Sequence, residues 1–163
     1  MIREFIQKGY CLKCKGCCRF AESDSPWSPN LLKEDIKALV DNAMPPFFIL
    51  ENKKIRLIKE AGEEGYLCPL LGCEDNRCKL YEARPFECRL YPFLLNRKGK
   101  EVFLSVDLKC PFAGDKNNSG LLKAHTKHLL GILNTPAFRK TLKKNPHMIQ
   151  EYPGVTDLVV LNL

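Results

Sequence analysis

The stretch "CLKCKGCC", residues 11–18, places four thiols within eight residues in the spacing C-x2-C-x2-C-C. Hydrophobic packing does not require such crowding, whereas zinc and iron both favour sulfur ligands. A C-x2-C pair directs two sulfurs towards one metal from a tight turn. Because Cys17 and Cys18 are adjacent, their sulfurs do not easily point at one small ion. We therefore expect them to serve different sites, or one of them to pack or hydrogen-bond beside a site.

Nine cysteines in 163 residues is a high and odd number, which does not suit a complete set of disulfides. The first ten residues, "MIREFIQKGY", mix charged and apolar side chains and lack the apolar region of a secretory signal. We therefore predict a cytoplasmic protein, where thiols are kept reduced. In that compartment metal ligation is the better interpretation of the cysteines, and catalytic thiol chemistry is the second.

The formal net charge of +7 raises the question of nucleic-acid binding. Bound thiolates would offset part of this charge, since a zinc ion or a [4Fe–4S] cluster with four thiolates is negative overall. The basic residues Arg139, Lys140, Lys143 and Lys144 also follow a helical pattern that is typical of a solvated face. Nucleic acid is therefore not the expected partner. No stretch approaches the length of about 20 apolar residues that crosses a membrane.

The hydrophobic pattern predicts an α+β fold: a small, irregular, metal-stabilised domain with short hairpins and a helical C-terminal extension. We expect an early helix over residues 29–43, with Ser28 as its cap and Pro29 in its first turn. Hairpins are predicted over 47–58 and 93–106, each around a polar turn. Helices are predicted over 119–135 and 135–145, the second capped by Thr135, and residues 155–163 have the composition of a strand.

Residues 66–93 hold four cysteines among prolines and aromatic residues, which indicates irregular structure with short helical turns. We expect a cysteine-cluster domain over residues 1–114 and a helical extension over 115–163 packed on it. The residues Arg84, Arg89 and Tyr91 flank Cys88. They are expected either to make local carboxylate pairs and packing contacts or to donate hydrogen bonds near the sulfurs.

The segments "CLKCKGCC" and "CPLLGCEDNRCKLYEARPFECRLYPF", followed by Cys110, resemble the YkgJ-like cysteine-cluster family, a group of zinc- or iron-chelating CxxCxxCC domains. The resemblance covers about residues 10–111. It implies eight metal-binding cysteines, which are Cys11, Cys14, Cys17, Cys18, Cys68, Cys78, Cys88 and Cys110. Cys73 falls outside the family pattern and is not expected to be an essential ligand.

All-sulfur ligation without a histidine at ligand spacing favours an iron–sulfur cluster, most simply [4Fe–4S], in electron transfer, redox sensing or assistance to a partner enzyme. The alternative is a structural zinc module that mediates protein or nucleic-acid interaction. An enzyme with an open metal position is a third hypothesis, but no general base is assigned to it. His125 and His128 lie three residues apart on a predicted helix, where solvated side chains are the favoured interpretation.

Overall fold

The computed structural model describes residues 2–6, 8–11, 14, 16–72 and 74–163. The chain divides into two compact units. Lys8–Arg89 form one of them, which we call the cysteine unit, and Met1–Gln7 together with Leu90–Leu163 form the other, the sheet unit. The predicted domain division at residue 114 stays a prediction.

The cysteine unit consists mainly of short elements connected by loops. In chain order they are helix α1 (Lys8–Cys11), strand β1 (Arg19–Phe20), helix α2 (Lys33–Asp41), strands β2 (Ile58–Lys59) and β3 (Tyr66–Leu67), and helix α3 (Phe86–Leu90), whose last residue belongs to the sheet unit. The strands form an antiparallel sheet in the order β1-β3-β2. Single 3-10 turns occur at Pro46–Phe48 and Tyr81–Ala83.

Helix α2 begins four residues later than the sequence pattern indicates, and Ser28 does not cap it. The Ser28 hydroxyl instead donates to the carbonyl of Ile55 over 2.7 Å, and the Leu31 N–H donates to the carbonyl of Lys53 over 2.8 Å. This backbone pairing holds the segment before α2 extended. The helix is therefore capped by Asp35, whose carboxylate accepts the Leu32 N–H.

The predicted hairpin over residues 47–58 is reduced to one antiparallel bridge, between Ile49 and Ile55. Two consecutive prolines precede it, and the chain enters the region through the 3-10 turn Pro46–Phe48. On either side of this bridge the Leu50 N–H donates to the Lys54 carbonyl over 2.9 Å and the Arg56 N–H donates to the Phe48 carbonyl over 2.7 Å, so the hairpin is present in a short form. Downstream of the bridge, β2 pairs with β3.

A hydrophobic core connects these short elements within the cysteine unit. Leu31, Leu39 and Ile55 are almost fully buried in it. Cys68 is itself a member of this core, and Cys18 and Cys78 pack against it. The core therefore positions sulfur atoms as well as apolar side chains.

The sheet unit has longer regular elements. Its strands are β4 (Phe93–Lys98), β5 (Glu101–Val106) and β6 (Thr156–Leu161), and its helices are α4 (Pro111–Gly114), α5 (Ser119–Leu133) and α6 (Pro136–Lys144). The strands form an antiparallel sheet in the order β4-β5-β6. The predicted second hairpin is confirmed, with Gly99 at φ +58° in its two-residue turn, where a glycine adopts a positive φ without a steric penalty.

Polar side chains join the strands of this sheet. Asp157 on β6 accepts hydrogen bonds from Asn96 (3.0 Å) and Ser105 (2.7 Å) and pairs with Lys98. These contacts lie beside the register shift between Leu104 and Ser105. The helices at 119–133 and 136–144 are confirmed, and the Thr135 hydroxyl accepts the Phe138 N–H as the predicted cap.

The α+β fold class is confirmed by the mixture of helices and small antiparallel sheets, with helical segments towards the C-terminus. Within the described ranges, every helix is either too short or too polar to cross a membrane.

Candidate metal centre

Four cysteines from separate segments of the cysteine unit lie close enough to interact electrostatically. They are Cys17 in the turn before β1, Cys68 directly after β3, Cys78 in the following loop and Cys88 in α3. Every pair within this set interacts. We call these residues the four-thiol group.

Backbone hydrogen bonds bring these segments together. The Cys68 N–H donates to the carbonyl of Cys18 over 3.0 Å, beyond the pairing of β1 with β3. Cys78 forms an antiparallel bridge with Leu71, and the Lys79 N–H donates to the carbonyl of Leu70 over 2.8 Å. The loop from Cys68 to Cys78 therefore folds back so that its two ends lie side by side.

Burial raises the pKa of Cys68, Cys78 and Cys88, and repulsion from other thiols of the group adds to this effect. Burial is the main cause for Cys68, whose pKa rises to about 12, and also for Cys78 and Cys88. The pKa of Cys17 is raised mainly by its hydrogen bond with Cys18, although Cys17 is exposed as a whole residue. Four thiolates this close are unfavourable without a compensating cation, and a bound metal supplies that compensation.

Cys68 and Cys78 accept hydrogen bonds from the backbone of residues two positions further along the chain. The Leu70 N–H donates to the Cys68 thiol, and the Leu80 N–H donates to the Cys78 thiol. Both bonds lower the thiol pKa, because each stabilises the thiolate form. Since hydrogen bonds to sulfur stabilise a metal-bound thiolate in the same way, the two loops fit a metal centre.

Cationic side chains lie beside the same sulfurs. Arg84 lowers the pKa of Cys17 and Cys78, and Lys79 lowers that of Cys68. The Arg84 guanidinium is held by a 2.8 Å hydrogen bond to the Tyr81 carbonyl and lies 3.5 Å from the centre of the Tyr81 ring. These charges offset part of the negative charge that thiolate ligation creates.

The other four predicted ligands are distributed over both units. Cys11 ends α1, Cys14 follows it, Cys18 packs on the core, and Cys110 is buried in the sheet unit at the start of α4. Cys73 lies outside the described residues. The eight described cysteines form no disulfide, and in the ranges that the structure describes no three His, Cys, Asp or Glu side chains are arranged around a single ion.

The three residues predicted to surround Cys88, namely Arg84, Arg89 and Tyr91, each contact a different partner. Arg89 lies 4.0 Å from the carboxylate of Asp35, rather than pairing with Glu82 or Glu87. In the sheet unit, Tyr91 donates a 2.9 Å hydrogen bond to Asp107. Arg84 acts on the four-thiol group, since it lowers the pKa of Cys17 and Cys78.

The histidine pair is less solvated than the sequence pattern indicates. His125 is half-buried against the rings of Phe5 and Phe93, with ring centroids 5.1 and 5.3 Å apart, and it lies 5.6 Å from His128. Burial lowers the pKa of His125 to about 4. Its role in the described structure is packing within the sheet unit.

Sequence reasoning missed Asn30 and Asp35, which are both buried polar residues beside α3. Asn30 is 2% exposed and Asp35 is 5% exposed. One signal was present: Asp35 stands three residues after Leu32, the spacing of a capping carboxylate. The contact with α3 is long-range and has no local signature.

Comparison with known proteins assigns a family to this region. The CxxCxxCC family, described as "Putative zinc- or iron-chelating domain", matches residues 10–119. An uncharacterised protein of Methanocaldococcus jannaschii is 27% identical over 103 residues, which cover 61% of this chain. The match covers 52% of that relative, so the chain spans about half of its length. No solved structure is significantly similar.

Proposed function

We propose, from the premise that the chain belongs to the CxxCxxCC family of zinc- or iron-chelating domains, that its four-thiol group holds a [4Fe–4S] cluster. The protein would then act in electron transfer, in redox sensing or in assistance to a partner enzyme. A protein partner and a cytoplasmic location are parts of the same proposal, because a redox centre needs a partner and its thiols must stay reduced.

The observation that supports this proposal most strongly is the convergence of Cys17, Cys68, Cys78 and Cys88. Each residue comes from a different loop or helix, yet every thiol interacts with the other three. The chain's three histidines all belong to the sheet unit, so the cysteine unit offers sulfur without imidazole. This donor set suits iron–sulfur ligation.

The surroundings of the group also suit a redox centre. The N–H groups of Leu70 and Leu80 point at sulfurs, and Arg84 and Lys79 supply positive charge. Such contacts favour the more negative, reduced state of a cluster. When bound, the cluster supplies one-electron transfer, and the protein residues set its potential and limit the access of water.

Cys11, Cys14, Cys18 and Cys110 remain proposed ligands in this assignment. Cys18 hydrogen-bonds with Cys17, so it would support the Cys17 ligand even without binding metal itself. Cys11 and Cys14 form the C-x2-C pair that precedes the group and would serve a second site or exchange with the first. The present proposal requires only the four-thiol group.

A structural zinc ion is the alternative, favoured by the same four-cysteine set and by the family description. A single zinc ion binds each thiolate at about 2.3 Å, which brings all four sulfurs around one point. In the described ranges the donors do not surround a single ion. Iron and sulfide content therefore distinguish the two centres.

The test is metal analysis of protein purified without oxygen, together with acid-labile sulfide and a visible spectrum. Iron and sulfide in equal amounts, with the broad absorption of a cluster, are the expected result. Colourless protein with one zinc and no sulfide would establish the structural zinc module instead. Protein with neither metal would contradict both.

Serine variants assign the ligands. Cys68→Ser or Cys88→Ser is expected to remove the cluster absorption, since each removes one sulfur of the four-thiol group. Cys73→Ser is the matched control, because it removes a cysteine that the sequence places outside the ligand set. Loss of the absorption in Cys73→Ser, or its full retention in Cys88→Ser, would overturn the assignment.

A further inference from the structure

Helix α3 carries Cys88, and its first N–H is bound by a buried carboxylate of another helix. The Phe86 N–H donates to Asp35 Oδ1 over 3.0 Å. The second oxygen of the same carboxylate, Oδ2, accepts the Leu32 N–H over 2.9 Å. Asp35 is only 5% exposed, so neither bond is easily replaced by water. One side chain thus joins the start of α2 to the start of α3.

A second set of hydrogen bonds joins the same two regions, but here the carboxylate belongs to α3. Glu87, the residue before Cys88, reaches the segment that precedes α2. Its Oε2 accepts the Asn30 N–H over 2.6 Å, and its Oε1 accepts the Asn30 side-chain amide over 3.0 Å. Asn30 is 2% exposed. The carboxylate is therefore held by two donors of a single buried residue.

Each carboxylate also has a cation nearby. Arg89 lies 4.0 Å from Asp35 Oδ1, and Lys54, whose amino group donates to the Pro26 carbonyl over 3.0 Å, interacts electrostatically with Glu87. Buried carboxylates are costly unless they are hydrogen-bonded and paired. Asp35 and Glu87 meet both conditions, and their contacts lie at the two residues that immediately precede the metal-binding position 88.

We propose that Asn30, Asp35 and Glu87 form a carboxylate clamp that positions the Cys88 thiol for metal binding. The clamp fixes the backbone of residues 86 and 87 from two sides, which sets where α3 directs its cysteine. This inference rests on the proposed four-thiolate centre. Asn30, Asp35 and Glu87 are positioning residues: they act through the helix and do not bind the metal.

Titration of the metal-free protein with Co2+, followed by the thiolate-to-cobalt absorption, tests the clamp. Asp35→Asn replaces one accepting oxygen by a donor, so one of its two hydrogen bonds is lost. We expect the affinity for Co2+ to fall roughly tenfold, as it does when supporting contacts of metal ligands are removed. Glu87→Gln is the second variant, should Asp35→Asn fail to fold.

Matched controls separate positioning from general stability. Asp41→Asn changes an exposed carboxylate of the same helix α2, which pairs with Lys37, and should leave the affinity unchanged. Leu39→Ala destabilises the core of the cysteine unit and leaves every side chain of the clamp in place. It is expected to reach the wild-type absorption per bound cobalt at saturation, whereas Asp35→Asn should saturate at a lower value because Cys88 is misplaced.

The decisive comparison repeats Asp35→Asn and Glu87→Gln in a Cys88→Ser background. If the clamp acts through Cys88, the tenfold loss should shrink to less than about twofold there. An equal loss in both backgrounds would overturn the clamp while leaving the four-thiolate centre intact. A wild-type protein that binds Co2+ without thiolate absorption would instead overturn the centre, and the clamp with it.

Discussion

The two units of the chain differ in how their backbone is held. In the cysteine unit the strands are two residues long and the longest helix has nine residues, whereas each strand of the sheet unit has six and helix α5 has fifteen. Long paired strands satisfy their own backbone groups and bury a continuous apolar face. Short ones depend on the groups between them, which in the cysteine unit include sulfur and buried carboxylates. We therefore expect metal binding to stabilise the cysteine unit far more than the sheet unit.

Removal of the metal should have the largest effect, and it should destabilise the cysteine unit much more than the sheet unit. A ligand at a thousand times its Kd adds about 4.1 kcal/mol to stability. We therefore expect amide exchange in β1 and β3 to accelerate by roughly a thousandfold after chelation, while β4 and β5 keep their protection. Hydrogen exchange with mass spectrometry measures both at once. Equal acceleration of exchange in the two units would contradict a metal-dependent stability that is specific to the cysteine unit.

Matched core truncations should show the same difference in metal dependence between the two units. Leu39 in the cysteine unit and Leu104 in the sheet unit are both fully buried, and Leu→Ala at such a site costs about 3 kcal/mol of unfolding free energy. Excess metal should restore much of the stability of Leu39→Ala and little of that of Leu104→Ala. Urea unfolding with and without metal checks this. A similar recovery of both variants would contradict it.

A smaller effect is expected for Asp157→Asn, which acts on the sheet unit alone. The hydrogen bond from Lys98 is the main cause that holds the pKa of Asp157 below its ordinary value, with Ser105 contributing as well. A lowered pKa means that the stabilisation is present above the unfolded pKa and is lost as the pH falls through the folded pKa. We expect a loss of about 1–2 kcal/mol at pH 7, which shrinks on acidification below pH 4. Thermal unfolding at pH 7 and pH 3 measures it, and a loss that does not depend on pH would contradict the charge-based explanation.

The smallest effect is expected from His125→Phe, because the ring is only half-buried. Burial lowers the pKa of His125 to about 4, so its stabilising contribution is complete above the unfolded pKa of about 6.5. That contribution is lost as the pH falls from there towards 4. The variant should therefore lose less stability than the wild type between pH 7 and pH 5. An identical pH profile in urea unfolding would show that His125 remains solvated in the folded protein.

Local sequence patterns predicted the sheet unit well. The hairpin around Gly99, the helix from Ser119 and the Thr135 cap all follow from signals within a few residues, and all are present. The early helix was predicted with the wrong start, because Leu31 pairs with the distant Lys53 and holds the chain extended. The first hairpin is shorter than predicted, since the 3-10 turn Pro46–Phe48 takes up its first residues.

For the candidate site, too, local patterns were predictable and long-range contacts were not. The resemblance to the CxxCxxCC family follows from cysteine spacing, which is a property of the sequence, and the family assignment is confirmed. The grouping of Cys17 with Cys68, Cys78 and Cys88 depends on strand pairing between distant segments. The ligand set itself stays a prediction.

By itself the sequence determined the α+β class, the elements of the sheet unit and the sulfur-rich chemistry, because periodicity, caps and cysteine spacing are local. Only the tertiary structure decided which thiols converge, that Arg84 rather than Arg89 faces them, and that Asn30 and Asp35 hold the helix of Cys88. The contacts of Asn30 and Asp35 with α3 join residues more than fifty positions apart. Their partners are selected by burial and by the need to satisfy buried polar groups, which are properties of the folded chain as a whole.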